Sequence, residues 1–256
     1  MKTRTLLERI YEWYLKSADL HIPRHIAVIQ DGNRRYAREQ GIALEKGHHA
    51  GAETTERLLE WASELGLKYI TLFCFSTENF SRKEEEMRYL FSLFKEKLAA
   101  VVRDPRVHRN GIRVQMLGDR SLLPEDLLAH VEVAEEATKG YSNYFVNLAL
   151  GYGGRNEIVH AAREILQGVR NGRIGCEEID AALVGRHLKE GALLPPVDLV
   201  IRTGNEKRTS NFLPWLANGN ESAVYFCAPN WPQFRKIDLL RAIRLYDQRM
   251  KLLKEM

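Results

Sequence analysis

Along most of the chain, short runs of consecutive apolar residues alternate with polar loops and with stretches in which apolar residues return every three to four positions. The short runs predict strands at His25–Gln30, Tyr69–Phe75, Ile112–Leu117, Tyr144–Leu150, Val197–Ile201 and Ala223–Cys227. The longer period predicts helices at His49–Leu65, Glu84–Val102, Pro124–Thr138, Arg155–Val169, Glu177–Leu188 and Lys236–Lys254. Strands apolar on both faces belong to parallel sheets covered on both sides, and intervening helices supply the crossovers. The expected fold is therefore α/β: a single domain with a mostly parallel six-stranded sheet covered by helices. No repeat, low-complexity tract or linker interrupts the pattern. Residues 1–20 read as an N-terminal helix and residues 21–256 as the main domain.

Within that helix, Thr5–Leu20, the residues Leu6, Leu7, Ile10 and Tyr14 share one side. The stripe fits two uses, packing on the domain or a partner and peripheral contact with a membrane, to which Tyr11, Trp13 and Lys16 at its edge are suited.

Composition narrows the class. At 256 residues and 45% apolar, the chain buries roughly three quarters of its extended surface without disulfides or a structural metal. Charged residues at 28% and aromatics at 9% exclude disorder. The net charge of +4 is too small to imply nucleic acid. Cys74, Cys176 and Cys227 make no CxxC pair, which suits a reducing cytoplasm. Met1–Asp19 carries Glu8 and Glu12 and is not expected to be a signal peptide. The longest uncharged run, Gly140–Gly154, is too short and too polar to span a bilayer. The expectation is a soluble cytoplasmic protein.

Open parallel sheets bind ligands beyond the carboxyl ends of their strands. The segments there are Asp31-Gly32-Asn33-Arg34-Arg35-Tyr36, Ser76-Thr77-Glu78-Asn79-Phe80-Ser81-Arg82, Gly118-Asp119-Arg120-Ser121, Gly151-Tyr152-Gly153-Gly154-Arg155 and Arg202 through Ser210. Each is expected to deliver at least one arginine to the same edge of the sheet. Converging guanidinium groups, with glycines that let backbone N–H groups approach, describe a site for phosphate or diphosphate. Ser76, Ser210 and Asn33 would add donors. Asp31 ends a buried strand and opens a glycine turn beside two arginines. A lone Asp before Gly is often only a turn former, but a carboxylate aimed at a diphosphate needs a cation between them. Mg²⁺ takes one or two carboxylates plus phosphate oxygens, and Glu221 before the last strand is the second candidate ligand.

Several chemistries lack their residues. There is no GxxxxGK[ST] for a P-loop, no GxGxxG after the first strand, no GxSxG elbow and no zinc spacing. No Asp-Asp pair occurs, so the aspartate-rich motif of head-to-tail trans-prenyl synthases is missing.

The residues that remain resemble the cis-prenyltransferases. His-Ile-Ala-Val-Ile-Gln-Asp-Gly-Asn-Arg-Arg-Tyr-Ala (25–37), Gly-His-His-Ala-Gly (47–51) and Phe-Ser-Thr-Glu-Asn-Phe-Ser-Arg (75–82) carry the likeness. Tyr-Gly-Gly-Arg (152–155), Asp-Leu-Val-Ile-Arg-Thr-Gly (198–204), Arg-Thr-Ser-Asn-Phe (208–212) and Trp-Pro (231–232) continue it in order from about His21 to Leu245. The Arg-Arg-Tyr-Ala form and Ala-Asn-Gly-Asn-Glu (217–221) are similar to the archaeal and eukaryotic branch. Members extend an allylic prenyl diphosphate by repeated Z-addition of isopentenyl diphosphate. The resemblance implies a Mg²⁺-dependent polyprenyl diphosphate synthase making an undecaprenyl-like precursor of a glycosyl carrier lipid, with geranylgeranyl rather than farnesyl diphosphate as primer.

Carried over residue by residue, Asp31 would hold Mg²⁺ and help the allylic diphosphate leave. Gly32, Asn33, Arg34, Arg35, His48 and Arg82 would cradle that diphosphate, within a substrate-binding set that also takes in Tyr36, Ser76, Thr77 and Glu78. Arg202, Arg208, Thr209 and Ser210 would hold isopentenyl diphosphate, with Glu221 a metal ligand. Asn79 matches the position assigned to proton removal; an amide is a poor base, so positioning a diphosphate oxygen or water suits it better. Phe80 would line the site as an aromatic. Chain growth implies an apolar tunnel, for which Leu90, Phe91, Leu93, Phe94, Leu98 and Val101 are candidates.

Two departures bear on the site and on partners. Leu44 stands where the family often has a diphosphate-binding arginine, with Lys46 two residues on. The C-terminal stretch lacks the Arg-x-Gly of many members, an element that a partner subunit supplies in two-component enzymes. Both a homodimer and a heteromer with a homologous subunit therefore stay open. So do two other activities: a noncatalytic companion subunit, which would have lost Asp31 and its arginines, and a phosphohydrolase using the same anion pocket.

Overall fold

The computed structural model describes residues 6–17, 20–188, 194–217 and 222–255. Among them, β1 (His25–Ile29), β2 (Tyr69–Ser76), β3 (Ile112–Leu117), β4 (Tyr144–Tyr152), β5 (Leu199–Arg202) and β6 (Ala223–Phe226) form one all-parallel sheet in the order β3-β4-β2-β1-β5-β6. The single-domain α/β fold expected from the sequence is the one observed. The order reverses between β1 and β5. That is the switch point at which open α/β sheets leave a crevice.

All five residues of β1 are buried, because β2 and β5 satisfy its backbone on both edges and helices cover both faces. Successive side chains alternate between the faces. Ile26 and Val28 meet Leu58 and Ala62 of α3 (Leu44–Glu64) and Leu239 and Ile243 of α9 (Lys236–Glu255). Ala27 and Ile29 meet Val200, Phe212 and Leu213. At the β3–β4 end, α4 (Glu84–Arg103) and α6 (Glu125–Thr138) pack on Phe75, Met116 and Leu150.

Strand and helix types follow the sequence pattern closely, and the differences have local causes. The helix α2 (Asn33–Glu39) was expected as loop; it begins immediately after Gly32, whose φ of 112° lets the chain turn out of β1. A short α5 (Pro105–Arg109) was also not expected; Asp104 caps it by accepting the Arg106 N–H at 2.8 Å, with Pro at its first position. The helix expected at Glu177–Leu188 is broken into a 3₁₀ turn, Cys176–Glu178, and α8 (Ala181–His187). Asp180 breaks it by taking the Leu183 N–H at 2.7 Å as an N-cap. The N-terminal helix α1 spans Leu6–Ser17 and leans on α9, where the Arg244 guanidinium donates to the Tyr11 hydroxyl at 2.9 Å. No described helix is long and apolar enough to cross a membrane.

Candidate active site

Asp31 and Arg202 come together because Ile29 and Arg202 are paired across adjacent strands β1 and β5. Arg202 is the last residue of β5 and its side chain is 4% exposed, so its charge requires partners. One arm donates to Asp31 Oδ2 at 2.8 Å, and the other to Ser210 Oγ at 2.5 Å and the Arg208 carbonyl at 2.6 Å. Arg35 stands 3.1 Å from the other oxygen, Asp31 Oδ1. Both oxygens of the carboxylate thus face guanidinium groups. The Asp31 carbonyl accepts from the Thr203 hydroxyl at 2.7 Å and the Trp231 N–H at 2.9 Å, which fixes the turn. At Gly32, besides its positive φ, a Cβ would lie 2.5 Å from Asn230 Oδ1. The chain then enters α2, which sets Asn33, Arg34 and Arg35 in its first turn, where backbone N–H groups have no intrahelical partner.

The second wall comes from the end of β2. Its register against β4 slips between Phe73 and Ser76, a bulge of the kind that re-aims side chains beside active sites. A 3₁₀ turn, Thr77–Ser81, follows. Within it the Asn79 side-chain oxygen accepts the Ser76 N–H at 3.1 Å, so the NH₂ group is what Asn79 offers a ligand. Arg82 and His48 converge on Glu86, at 2.9 and 3.2 Å, with Arg34 at 3.8 Å. Glu86 is buried and its charge is shared by three bases. Burial lowers the His48 pKa, outweighing the hydrogen bond to Glu86, and lowers that of Arg82.

The loop after β5 closes the site. Asn205, Ser210, Asn211 and Leu213 all have left-handed backbones, with φ between 48° and 61°. Such concentrated strain in non-glycine residues is a feature of functional loops. Glu206 bridges Arg35 at 3.3 Å and Arg208 at 2.7 Å. Asn211 accepts the Arg155 N–H at 2.8 Å, at the start of α7 (Gly154–Arg170).

These walls enclose one end of a cavity of about 1120 Å³. Its mouth is lined by Asp31, Gly32, Asn33, Arg34, Arg35, His48, Ser76, Glu78, Asn79, Arg82, Arg202, Arg208 and Ser210. From there it runs between the sheet and the pair α3 and α4, past Leu59, Leu72, Leu90, Leu93, Phe94, Leu98, Val101, Val146 and Leu148. The volume is above the roughly 300–1,000 Å³ typical of small-molecule pockets. At the mouth, Arg35 Nε, Arg202 Nε and Asn33 Oδ1 are buried without a hydrogen-bond partner, and Arg35 Nη2 meets Asp31 as an ion pair without an aligned hydrogen bond. Three of these four atoms are donors on cations, which is what an anionic ligand would complete.

Some expected residues lie elsewhere. Tyr36, Thr77, Phe80 and Thr209 are near the mouth in sequence but do not line the cavity. Phe80 packs edge-to-face on Phe75, ring centres 4.9 Å apart, and Phe91 leans on the same ring at 5.3 Å. Both support the wall from behind. The Thr77 hydroxyl donates to Glu78 at 3.3 Å, and Thr209 is exposed. Arg120 departs from the expectation that each loop feeds the site: it follows the edge strand β3, far from the switch point, and pairs with Glu135 at 2.7 Å. Glu221 lies outside the described residues. Leu44 and Lys46 are exposed at the start of α3 and line nothing there, whereas Arg38 of α2 does line the cavity.

Sequence reasoning missed Glu86, Asn211 and the lining role of Arg38. Glu86 had a signal, the spacing of four from Arg82 just before the helix, but it sits in the run Glu84-Glu85-Glu86, which reads as a solvated first turn.

The profile of the family described as "Putative undecaprenyl diphosphate synthase" matches residues 29–253. A tritrans,polycis-undecaprenyl-diphosphate synthase (geranylgeranyl-diphosphate specific) of Methanosarcina mazei is 48% identical over 97% of this chain and 86% of its own. The protein of the same name from Archaeoglobus fulgidus is 47% identical over 89% of this chain and 90% of its own. Among solved structures, lavandulyl diphosphate synthase of Lavandula x intermedia, in complex with dimethylallyl diphosphate, superposes with a TM-score of 0.84 at 33% identity, covering 88% of this chain and 95% of that one. A probable undecaprenyl diphosphate synthase from Campylobacter jejuni gives 0.71 at 29% identity, over 89% and 96%. With a cluster of guanidinium groups at the switch point and relatives that match nearly end to end, the chain belongs to the undecaprenyl diphosphate synthase family and is a cis-prenyltransferase.

Proposed function

We propose that the chain condenses isopentenyl diphosphate repeatedly, in Z geometry, onto geranylgeranyl diphosphate, giving an undecaprenyl-like diphosphate of the kind that carries glycosyl groups. The observation that carries this reading is one cavity with two characters: buried, unpartnered guanidinium donors at its mouth and an apolar wall behind them. That is the shape of a ligand with a diphosphate head and a hydrocarbon tail. The primer follows from the archaeal relatives, which are named as geranylgeranyl-diphosphate specific.

In each cycle the C–O bond of the allylic diphosphate breaks and a C–C bond forms to the terminal alkene carbon of isopentenyl diphosphate. Diphosphate and one proton leave. Asn33, Arg34, Arg35, His48 and Arg82 hold the allylic diphosphate, with its tail in the cavity. Arg202, Arg208 and Ser210 hold the isopentenyl diphosphate beside it, so the reacting carbons meet without a bimolecular entropy cost. Fixed guanidinium groups face the negative charge that grows on the departing diphosphate, usually the largest catalytic contribution. Asn79 donates through its NH₂ to a diphosphate oxygen or a water near the departing proton.

Mg²⁺ fits this donor set. Asp31 supplies one carboxylate at the crevice, and Mg²⁺ is commonly held by one or two carboxylates plus substrate phosphates. Among the described residues no group of three His, Cys, Asp or Glu could hold a metal, so substrate phosphate oxygens would complete the set around Asp31. Bound there, it would neutralise charge on the leaving group. Asp31 becomes available to it when diphosphate oxygens take over Arg35 and Arg202.

Residues 21–256 are taken as the catalytic domain and residues 1–20 as an appended helix. Ile10, Trp13 and Tyr14, each at least half exposed, favour peripheral contact with a membrane, where the hydrophobic product belongs, on its cytoplasmic side.

The deciding experiment incubates the purified chain with Mg²⁺, labelled isopentenyl diphosphate and either geranylgeranyl or farnesyl diphosphate, then sizes the products. Long Z-polyprenyl products with geranylgeranyl diphosphate, lost in Asp31→Ala, are expected. No product from the folded chain alone, with activity restored by a homologous subunit, would make the enzyme a heteromer rather than a homodimer. Diphosphate release without isopentenyl diphosphate would instead indicate a phosphohydrolase.

A further inference from the structure

The cavity crosses the whole sheet. Its mouth is at the carboxyl edge, whereas Asn110 and Ile112, which also line it, lie at the amino end of β3. α3 follows it from His48 to Ser63, fifteen residues or roughly 22 Å at the helical rise. Along this path the wall changes character. Beyond the apolar middle it is Glu60, Ser63, Asp104, Arg106 and Asn110. Arg106 of α5 donates to Glu60 of α3 and, through Nη2, to Asp104 at 2.7 Å. One guanidinium thus ties the last turn of α3 to the corner between α4 and α5, across the end of the cavity. Lys97 and Glu56, 2.9 Å apart, make a parallel rung between α4 and α3 nearer the middle.

We propose that Arg106, held between Glu60 and Asp104, is a charged gate that sets where chain growth stops. The inference rests on the condensation reading above. Each added five-carbon unit pushes the tail deeper, and in the apolar section burial of its carbons favours this. At the gate that gain ends, because the next unit must displace ion-paired side chains and the water around them. The gate yields rather than blocks. Arg106 and Glu60 are about half exposed, at 53% and 50%, and such pairs are weak and sensitive to salt. A yielding gate predicts a distribution of product lengths rather than a single one.

The test compares product lengths from the parent, Arg106→Ala and Glu60→Gln at equal total incorporation, so that a general loss of activity does not register. Arg109→Ala, on the same short helix but outside the cavity wall, is the control. Arg106→Ala is expected to move the most abundant product longer by at least one five-carbon unit, and Glu60→Gln to move it in the same direction by less. Raising salt from about 0.1 M to about 1 M, which shortens the screening length from about 10 Å to about 3 Å, should lengthen the parent's products and leave those of Arg106→Ala unmoved. An unchanged length pattern in both variants, with an active parent, overturns the gate alone. Should Arg106→Ala fail to fold, Glu60→Gln decides by the same criterion. A parent that makes no polyprenyl product with either primer, alone or with a homologous subunit, overturns the condensation reading and the gate with it.

Discussion

Replacing Asp31 by Asn separates two roles that the structure gives one carboxylate. In the free chain Asp31 engages Arg202 at 2.8 Å and faces Arg35 at 3.1 Å, so it competes with a diphosphate for the same guanidinium groups. In the reaction it is the proposed metal ligand. With about 5 Å between carboxylate and diphosphate, and an effective dielectric between 20 and 80, removing one negative charge favours anion binding by about 1–3 kcal/mol. Pyrophosphate titrated calorimetrically in EDTA should therefore bind Asp31→Asn at least about fivefold more tightly than the parent. Turnover with Mg²⁺ should fall by about 10²–10³, the loss seen when a group stabilising transition-state charge is removed. Stability should drop by no more than about 1.5–3 kcal/mol, the range for a hydrogen bond to a charged group, since Arg202 keeps Ser210 and the Arg208 carbonyl. Weaker or equal metal-free pyrophosphate binding would refute the competition. Turnover within tenfold of the parent would remove Asp31 from the chemistry.

Other outcomes follow from the same geometry. Glu86→Gln takes away the charge shared by Arg82, His48 and Arg34; it should cost about 1–3 kcal/mol and lower kcat/KM for the allylic substrate, and an unchanged melting curve with unchanged kinetics would show that Glu86 is not the keystone. Burial lowers the pKa of both His25 and His48, so the unfolded chain binds their protons more readily. Stability should rise with pH from the lowered folded values up to about 6.5; urea midpoints flat between pH 5 and 7 would count against neutral buried imidazoles. Asp247 has the acidic window. Burial raises its pKa, but hydrogen bonds from the His21 N–H, Lys251 and the His21 ring outweigh it and hold the carboxyl at about 2. That stability is present above the ordinary carboxylate value and is lost as pH falls toward 2, and Asp247→Asn should abolish this part of the acid transition. Burial pushes the Cys74 and Cys227 thiols up to about 12, whereas Cys176 is exposed. Iodoacetamide at pH 8 should label one thiol in the native chain and three after unfolding, as read by mass spectrometry.

The site was legible to the extent that its residues sit at strand ends. Asp31 and Arg202 were identified because a buried apolar run stops just before them, and Ser210 because it lies in the loop that follows; the end of a parallel strand is where ligands bind. The same rule misassigned Arg120, since it knows where a strand ends but not which strand is at the edge of the sheet. Phe80 was placed at the mouth by the family resemblance, yet the 3₁₀ turn sends it into the aromatic cluster with Phe75 and Phe91. Asp180 shows the opposite case: its capping chemistry was present in the sequence but was outvoted by the apolar period of Glu177–Leu188.

By itself the sequence determined the types of the elements, the α/β class and the ordered motifs that mark the family. Those depend on local periods of 2 and 3.6 residues and on side chains close together in the chain. Only the tertiary structure decided that Asp31 lies against Arg202, 171 positions away, that Glu86 gathers Arg82, His48 and Arg34, and that the cavity passes from cations through apolar walls to the ion pairs of Arg106. Sheet order and register bring these groups together, and both are set by packing between segments distant in sequence, which no local pattern encodes.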